Sequence, residues 1–394
     1  LTEPDAGSDL QSITLKATEI GEKWYLNGVK RFITNGCAQV SLVMARSEEG
    51  SSDARGISLF IYERTTPEMK IRRIEHKLGI HGSPTCELQF NNAPAELLGK
   101  RRFGLIKYTM SLMNGARLGV SAQALGISEA AYRESIKYAN KRMQFKKHIK
   151  DLPAISEMLN DMSVNIQAMR SLLYETARIV DLKEGLEEKI ENHPEAKADL
   201  AHDLQKYTKL ASLLTPLAKL ATTEMGNKIC YDAIQIHGGV GYTTEFAVER
   251  LYRDIRITNI YEGTSQMQVV AAMGGIISGV IFDKLNEYEN KFDFTKNQLA
   301  TLFEIAHSMK SSLELAVAHV KSNSNFQDQH SRRLADMSVD VLISYLLIID
   351  AIKSESKKEV AKSFISKALH RVRSTFDFII SQINLFNSFN SLKV

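Results

Sequence analysis

Residues Tyr252 to Gln268 read YRDIRITNIYEGTSQMQ, with one carboxylate, Glu262, set between an aromatic ring and a glycine. A lone glutamate is most simply a solvated surface charge, so a role as a catalytic base rests on what flanks it. Tyr261, Gly263, Thr264, Ser265 and Gln266 supply small or hydrogen-bonding groups, and just upstream Gln235 to Tyr242 reads QIHGGVGY. Glycines and hydroxyls around a single acid make room for a polar ligand.

Composition sets the outer limits. A chain of 394 residues holds two or three domains with sizeable cores. Apolar content of 44% and charged content of 24% are ordinary for a globular protein. The net charge of +4, from 50 basic and 46 acidic residues, is too balanced to argue for nucleic acid. Cys37, Cys86 and Cys230 lie far apart in sequence without a CxxC pair. They read as buried thiols in a reducing compartment, with no disulfide frame and no metal site. The chain opens on Leu1 with no charged leader, so an N-terminal part carrying any targeting peptide is expected to precede it. No apolar run reaches the ~20 residues of a membrane span. The longest, Val341 to Ile349, is interrupted by Ser344, and a soluble protein is expected.

Outward from the opening stretch, the first hundred residues read as β. Ile13, Leu15 and Ala17 alternate with polar residues, as do Trp24 and Leu26, and Val40 to Met44 and Ile57 to Tyr62 are apolar runs of strand length. Turn signals at Ile20-Gly21-Glu22, Asn27-Gly28, Asn35-Gly36, Glu49-Gly50 and Arg55-Gly56 punctuate them. An antiparallel sheet or barrel follows, not a βαβ nucleotide fold.

From about Phe103 the pattern turns helical. Leu118, Ala122, Leu125 and Ile136 recur at helical spacing, and Asp151 is expected to cap a helix with Pro153 in its first turn. Leu159, Met162, Ile166, Met169, Leu173 and Ala177 form an apolar stripe, read as core. The charge-rich segment Asp181 to Asp203 reads as an exposed extension of two helices, broken at Pro194. No proline or glycine follows Gly279, which favours long helices. There Ile365, Leu369, Val372, Phe376, Ile379 and Ile383 form one apolar face opposite Lys362, Lys367, Arg371 and Arg373. The class is α+β: an antiparallel β-domain over 1–103, a helical bundle over 104–280 and a helical extension over 281–394.

Four patches carry chemistry. Thr2 to Asp9, TEPDAGSD, offers two hydroxyls and a glycine in a turn able to bind an oxyanion or a flat ring's carbonyl edge; by composition it serves equally as a capping turn. Phe32 to Gly36, FITNG, sets an aromatic and a hydroxyl on either side of Ile33, as an ordinary strand end also does. Lys141 to Phe145, KRMQF, holds an arginine able to pair with phosphate or to end a helix in solvent. The glycines of QIHGGVGY do not fit a GxGxxG cradle and fit a helix break better, and His237 reads as structural.

Together and in this order, TEPDAGSD, FITNG, RMQF, QIHGGVGY and IYEGTSQMQ resemble the flavin-dependent acyl-CoA dehydrogenases over about residues 1 to 280. The resemblance implies a middle β-domain followed by a four-helix bundle, with the family's N-terminal helical domain lacking from this stretch of chain. It implies FAD as cofactor and an oligomer, a homodimer or a dimer of dimers. Thr2 and Thr34 would bond the flavin ring, Phe32 would lie against it where many relatives have Trp, and Ser8 would contact cofactor phosphate or substrate. Arg142, Gln144, Phe145, Gln235 and Gly239 would reach the FAD of a neighbouring subunit, with Lys146 standing where many relatives have Gly. Thr264 and Gln266 would complete the cofactor contacts. Asn114, which replaces an Asp of many relatives, would face substrate with Arg117, Tyr261 and Gly263.

Glu262 matches the family's catalytic base. An α C–H of a thioester is a poor acid, and a carboxylate must take its proton as the β-hydride leaves to flavin N5. Hydrogen bonds from the Glu262 backbone N–H and the FAD ribityl hydroxyl would polarise the thioester oxygen, and burial beside Tyr261 and an acyl chain would favour a neutral-range base. The reaction expected is α,β-dehydrogenation of an acyl-CoA to a trans-2-enoyl-CoA, with electrons passing to an electron-transfer flavoprotein. An acyl-CoA oxidase using oxygen, a DNA-associated non-dehydrogenating relative and a structural helical scaffold are the competing readings. Nucleic acid is not expected. The C-terminal extension resembles that of very-long-chain and methylthiopropionyl-CoA dehydrogenases, packing within the dimer in preference to membrane contact. A cytoplasmic location, or the mitochondrial matrix in a eukaryote, is expected.

Overall fold

The computed structural model describes residues 1–64, 67–295, 299–322 and 324–381. They fall into two compact units, Leu1–Ala116 and Arg117–Val394.

The first unit is built on six strands: β1 (Lys16–Ile20), β2 (Lys23–Thr34), β3 (Val40–Arg46), β4 (Ile57–Glu63), β5 (Met69–Ile74) and β6 (Thr85–Leu98). Their order is β2-β1-β3-β4-β6-β5, and an added β2–β6 pairing closes five of them into a ring with β5 outside. The described pairings are antiparallel apart from one β1–β3 bridge at Lys16 and Arg46. Alternation dictates the interior: Trp24 and Leu26, Val43 and Ala45, Phe60 and Tyr62, and Leu88 and Phe90 all point into one core. Wrapping the sheet on itself leaves few exposed edges.

Two sequence expectations change here. Asn27-Gly28 is not a turn; it is a bulge inside β2, where the register against β6 shifts between Leu26 and Gly28. Gly28 takes a φ of 141°, and a Cβ there would lie 2.9 Å from the Leu15 Cα, so the glycine serves close approach of two strands. Asn27 pairs by its side chain with Asn92 across the bulge at 2.8 Å in both directions. Cys37 is exposed, not buried, and sits beside buried Cys86, a neighbour that linear spacing concealed.

A π-helical turn, Gly104–Thr109, leads into α1 (Met110–Lys141). The second unit continues with α2 (Pro153–Asn192), α3 (Lys197–His237), α4 (Ala247–Ile255), α5 (Ser265–Ile277) and α6 (Val280–Lys291). It ends with α7 (Ala300–Lys321), α8 (Ser324–Lys353) and α9 (Lys358–Ile380). Leu152, not Asp151, is the N-cap of α2, and no side chain caps it; Pro153 opens the helix with a φ already suited to it. Pro194 lies in the short 3-10 turn Pro194–Ala196 between the exposed ends of α2 and α3.

Helix α2 is apolar on two faces. Met162, Ile166, Met169 and Leu173 enter a core with residues of α1, α3 and α4. Val164, Ala168, Leu172 and Ile179 enter a second core with α3 and α5 to α9. The stripe read from the sequence is the first of these; the second passed unnoticed because each face alone satisfies helical spacing.

The apolar run Val341 to Ile349 lies wholly buried in α8. On α9, Ile365, Val372 and Ile379 are buried against the same core and Leu369 and Phe376 pack partly into it, while Ile383 lies outside the described residues. The face considered for membrane contact is therefore spent on packing. All four basic residues of the opposite face are exposed; Lys367 pairs with Asp161 of α2 at 2.6 Å and Arg371 with Asp340 of α8 at 2.6 Å. Among the described residues no single helix is long and apolar enough to cross a membrane.

Replacing Gly28 with Ala is expected to cost the first unit about 2 kcal/mol or more, through strain and collision with Leu15. Trp24, the single tryptophan, is buried in this unit, so urea unfolding followed by its fluorescence reads the loss directly.

Candidate active site

Glu262 lies in the second unit, in the turn between α4 and α5. A 3-10 turn, Arg256–Asn259, follows α4, and Tyr261 N–H closes back on the Ile257 carbonyl at 3.1 Å. Glu262 then takes a φ of 54° and Gly263 one of 87°, two left-handed residues in succession before Thr264 caps α5. A left-handed glutamate is uncommon and is held only where its surroundings impose it.

Those surroundings are specific. Lys219 of α3, 0% exposed, donates to the carbonyls of Thr258 at 2.9 Å and Gly263 at 2.8 Å. The Gln268 amide donates to the Gly263 carbonyl at 2.7 Å and the Glu262 carbonyl at 3.2 Å. Tyr261 hydroxyl donates to Gln123 of α1, and Ser265 hydroxyl to Glu224 of α3. Thr264 accepts from the Met267 N–H at 3.4 Å, which leaves its hydroxyl hydrogen for another acceptor. Gln266, two residues on, is exposed.

Two buried cations stand near the half-buried Glu262 side chain. Burial lowers the Arg117 guanidinium from its usual value and the Glu262 charge counters it; a Cβ on Gly263 would stand 3.9 Å from Arg117 Nη2. Burial and Arg117 draw the Lys219 ammonium down to about 8, against the opposing pull of Glu262 and Glu224. Burial and the Glu262 charge hold the Tyr261 phenol above its ordinary value, so Tyr261 acts as a donor, with Gln123 as its acceptor. The expected setting was aromatic and apolar; the cations under the turn were not anticipated. The signal was present in Leu213 to Leu220, where Lys219 is the one charge in an apolar helical stretch.

A second feature of this unit gathers the basic patch and the glycines. Tyr138, Arg142, Gln144, Phe145, Gly238 and Gly239 contribute to the wall of a cavity of about 440 Å³. Gln235 is exposed on α3 and is not in that wall. Gly238 and Gly239 have open space where a Cβ would stand, so the wall opens onto free backbone. His237 stacks on Tyr138 with ring centroids 4.4 Å apart, and its Nδ1 bonds the Ala233 carbonyl at 2.7 Å, which makes it structural as expected. Phe145 and Lys146 take φ values of 51° and 63° between the two-residue strands β7 (Met143–Gln144) and β8 (Lys147–His148). Lys146 thus adopts the left-handed conformation that a glycine would supply, and the tight turn persists.

In the first unit, the TEPDAGSD turn is anchored by a residue the sequence did not mark. Glu3, buried, accepts from the N–H of Thr14 at 2.6 Å and Leu15 at 3.0 Å and pairs with buried Lys30 of β2 at 2.7 Å. Burial raises the Glu3 carboxyl, but Lys30 and the backbone donors outweigh it and leave the group below its usual value. Lys30 also donates to the Leu1 carbonyl at 3.1 Å, and Thr2 accepts from the Arg31 N–H at 2.9 Å. Beside that contact the β2–β6 register shifts again between Lys30 and Ile33, and Phe32 takes a φ of 58°. The bulge turns Phe32 outward, 53% exposed, with the Arg31 guanidinium 4.7 Å from its ring centre. Thr34 and Ser8 are exposed, and Asn114 lies on the first turns of α1. An outward aromatic between two threonines suits a flat conjugated ring, and the Arg142 cavity with its bare glycines suits a purine or phosphate. The residues present therefore fit FAD.

Comparison with known proteins agrees. Residues 1–93 match the family model for the acyl-CoA dehydrogenase middle domain, 106–274 that for the acyl-CoA dehydrogenase C-terminal domain, and 277–385 a further model, acyl-CoA dehydrogenase C terminal. The chain is 36% identical to a subunit of the caffeyl-CoA reductase–Etf complex of Acetobacterium woodii, over 72% of this chain and 68% of that one. It is 37% identical to a short-chain-specific acyl-CoA dehydrogenase of Megasphaera elsdenii, over 70% of this chain and 67% of that one. An acyl-CoA dehydrogenase of Bacillus anthracis solved with FAD is similar at a TM-score of 0.80 and 25% identity, over 98% of this chain and 69% of that one. The chain spans about two thirds of the length of its curated relatives, from 62% to 68%.

Substituting Glu3 by Gln or Lys30 by Met leaves one buried charge without its counterpart, which is expected to cost about 3–5 kcal/mol each. Replacing both is expected to cost less than the sum. Unfolding followed at Trp24 for the two singles and the double measures the coupling.

Proposed function

The chain belongs to the acyl-CoA dehydrogenase family of flavoprotein oxidoreductases, and we propose that the protein converts an acyl-CoA to a trans-2-enoyl-CoA with Glu262 as base. The observation that carries this reading is the turn itself. A half-buried carboxylate is held by left-handed backbone, with both following carbonyls tied inward and Arg117 beside it.

Glu262 takes the α-proton, and its backbone N–H donates to the thioester oxygen on which negative charge develops. Gly263, lacking a side chain, allows the acyl group to approach this backbone. Ser8, Asn114, Arg117 and Tyr261 orient the substrate. In the first unit Thr2 and Thr34 would bond the flavin ring with Phe32 against it; in the second, Thr264 and Gln266 would contact the cofactor. Arg142, Gln144, Phe145, Gln235 and Gly239 would reach the FAD of a neighbouring subunit. FAD, when bound, accepts the β-hydrogen with its electron pair. An oligomer is supported by Phe145 and Tyr242, which are 84% and 85% exposed around the glycine turn. Electrons leave to an electron-transfer flavoprotein, a partner of the kind named with the Acetobacterium relative. Likeness to that reductase also supports the reverse reaction, saturation of a 2-enoyl-CoA, as a second reading.

Glu262→Gln keeps the size of the side chain and removes its basicity. In the FAD-loaded full-length protein, anaerobic bleaching of the flavin by acyl-CoA is expected to slow by about 10²–10⁴-fold while FAD stays bound. Bleaching at the unaltered rate would mean that another group is the base. A panel of acyl-CoAs of graded length, run alongside the matching enoyl-CoAs with prereduced flavin, separates the two directions.

A further inference from the structure

We infer that Lys219 is a positioning residue for the proposed base: from beneath the turn its ammonium holds the Thr258 and Gly263 carbonyls, and so fixes the backbone from which Glu262 projects. This rests on the reading of Glu262 as base.

The geometry separates this role from that of an ordinary core lysine. Lys219 is 0% exposed, and a buried ammonium is costly unless its donors are satisfied. Both acceptors, at 2.9 and 2.8 Å, lie in the site turn, one on each side of Glu262. The span between them contains the left-handed glutamate, a conformation that relaxes when its ends are released. Gln268 supplies a second grip, sharing the Gly263 carbonyl and adding that of Glu262. With the two carbonyls turned inward toward α3, the intervening peptides have little freedom to rotate. A base must meet its proton within hydrogen-bond reach, and displacement by about 1 Å costs on the order of 10²-fold in rate.

The groups facing the ammonium are Arg117 of α1, Glu262 of the turn and Glu224 of its own helix, with Arg332 of α8 3.9 Å behind Glu224. Arg117 works against the charge on Lys219 and the two carboxylates support it. Because the ammonium titrates at about 8, it is charged below that pH and is lost as pH rises through it. The grip on the turn is therefore expected to weaken on the alkaline side.

The test uses the FAD-loaded full-length protein with Lys219→Met, Lys219→Arg and, in parallel, Glu262→Gln. Lys219→Met is expected to slow flavin reduction at saturating acyl-CoA by about 10- to 100-fold, with half-saturation little changed. Amide exchange in the peptide spanning Thr258 to Gly263 is expected to quicken by about 10-fold or more, a readout independent of turnover. Lys219→Arg, which keeps a cation at every accessible pH, is expected to restore much of the rate and to remove the alkaline weakening expected of the unaltered protein. Normal reduction and normal exchange in Lys219→Met, with Glu262→Gln slow, overturn the positioning role and leave the base in place. Normal reduction in Glu262→Gln overturns the base instead, and the exchange result alone then judges Lys219. Should Lys219→Met not fold, Lys219→Gln takes its place, and normal reduction with normal exchange in that variant overturns the proposal.

Discussion

An ammonium group withdrawn from water loses far more than a hydrocarbon gains, so a folded chain keeps one inside only where oxygens are placed to receive its hydrogens. Both units accept that cost at the same kind of place. Lys30 is buried beneath the opening turn, on Glu3 and the Leu1 carbonyl; Lys219 is buried beneath the turn of Glu262, on two carbonyls. Above each lies a non-glycine residue in left-handed conformation, Phe32 in one unit and Glu262 in the other. The strain of the exposed residue and the satisfaction of the buried one are two sides of one arrangement: a loop pulled inward at its carbonyls presents its remaining groups outward.

The scaffold beneath the second of these turns follows from the two apolar faces of α2 and the long apolar course of α3. A helix with a single apolar stripe lies on the surface of a core, whereas one with two must be enclosed. Helices α2 and α3 therefore run between two cores, one shared with α1 and α4 and the other with α5 to α9. Lys219 sits on the α3 segment that belongs to the second core, and α5, which begins immediately after the site turn, packs into that core as well. The turn is thus fastened at its base and at its exit to the same apolar mass.

Much of this was legible in the residues. Period-two alternation found the β-domain, the loss of proline and glycine after Gly279 found the long helices, and the motif around Glu262 marked the acid. What escaped is instructive in physical terms. Asn27-Gly28 has turn chemistry and forms a bulge, because the demand for close approach to Leu15 uses the same residue as a turn would. Asp151 has cap chemistry, yet the helix begins after Leu152. Lys30, Glu3 and Lys219 were passed over because charged residues are usually solvated, and only their partners in space, 27 positions away in the Glu3–Lys30 pair, reveal otherwise. Local pattern reports local preference; a buried charge is a property of contacts between distant segments.

The shared helices also bear on how such a chain tolerates change. Because α2 and α3 are common to both cores, the helices after Gly279 are not an appendage that folds beside a finished bundle. Cooperativity between them makes loosening anywhere along α7 to α9 a loosening of the wall on which the site turn is mounted. A substitution buried in α7 to α9 therefore bears on the same apolar mass that holds α3 and α5.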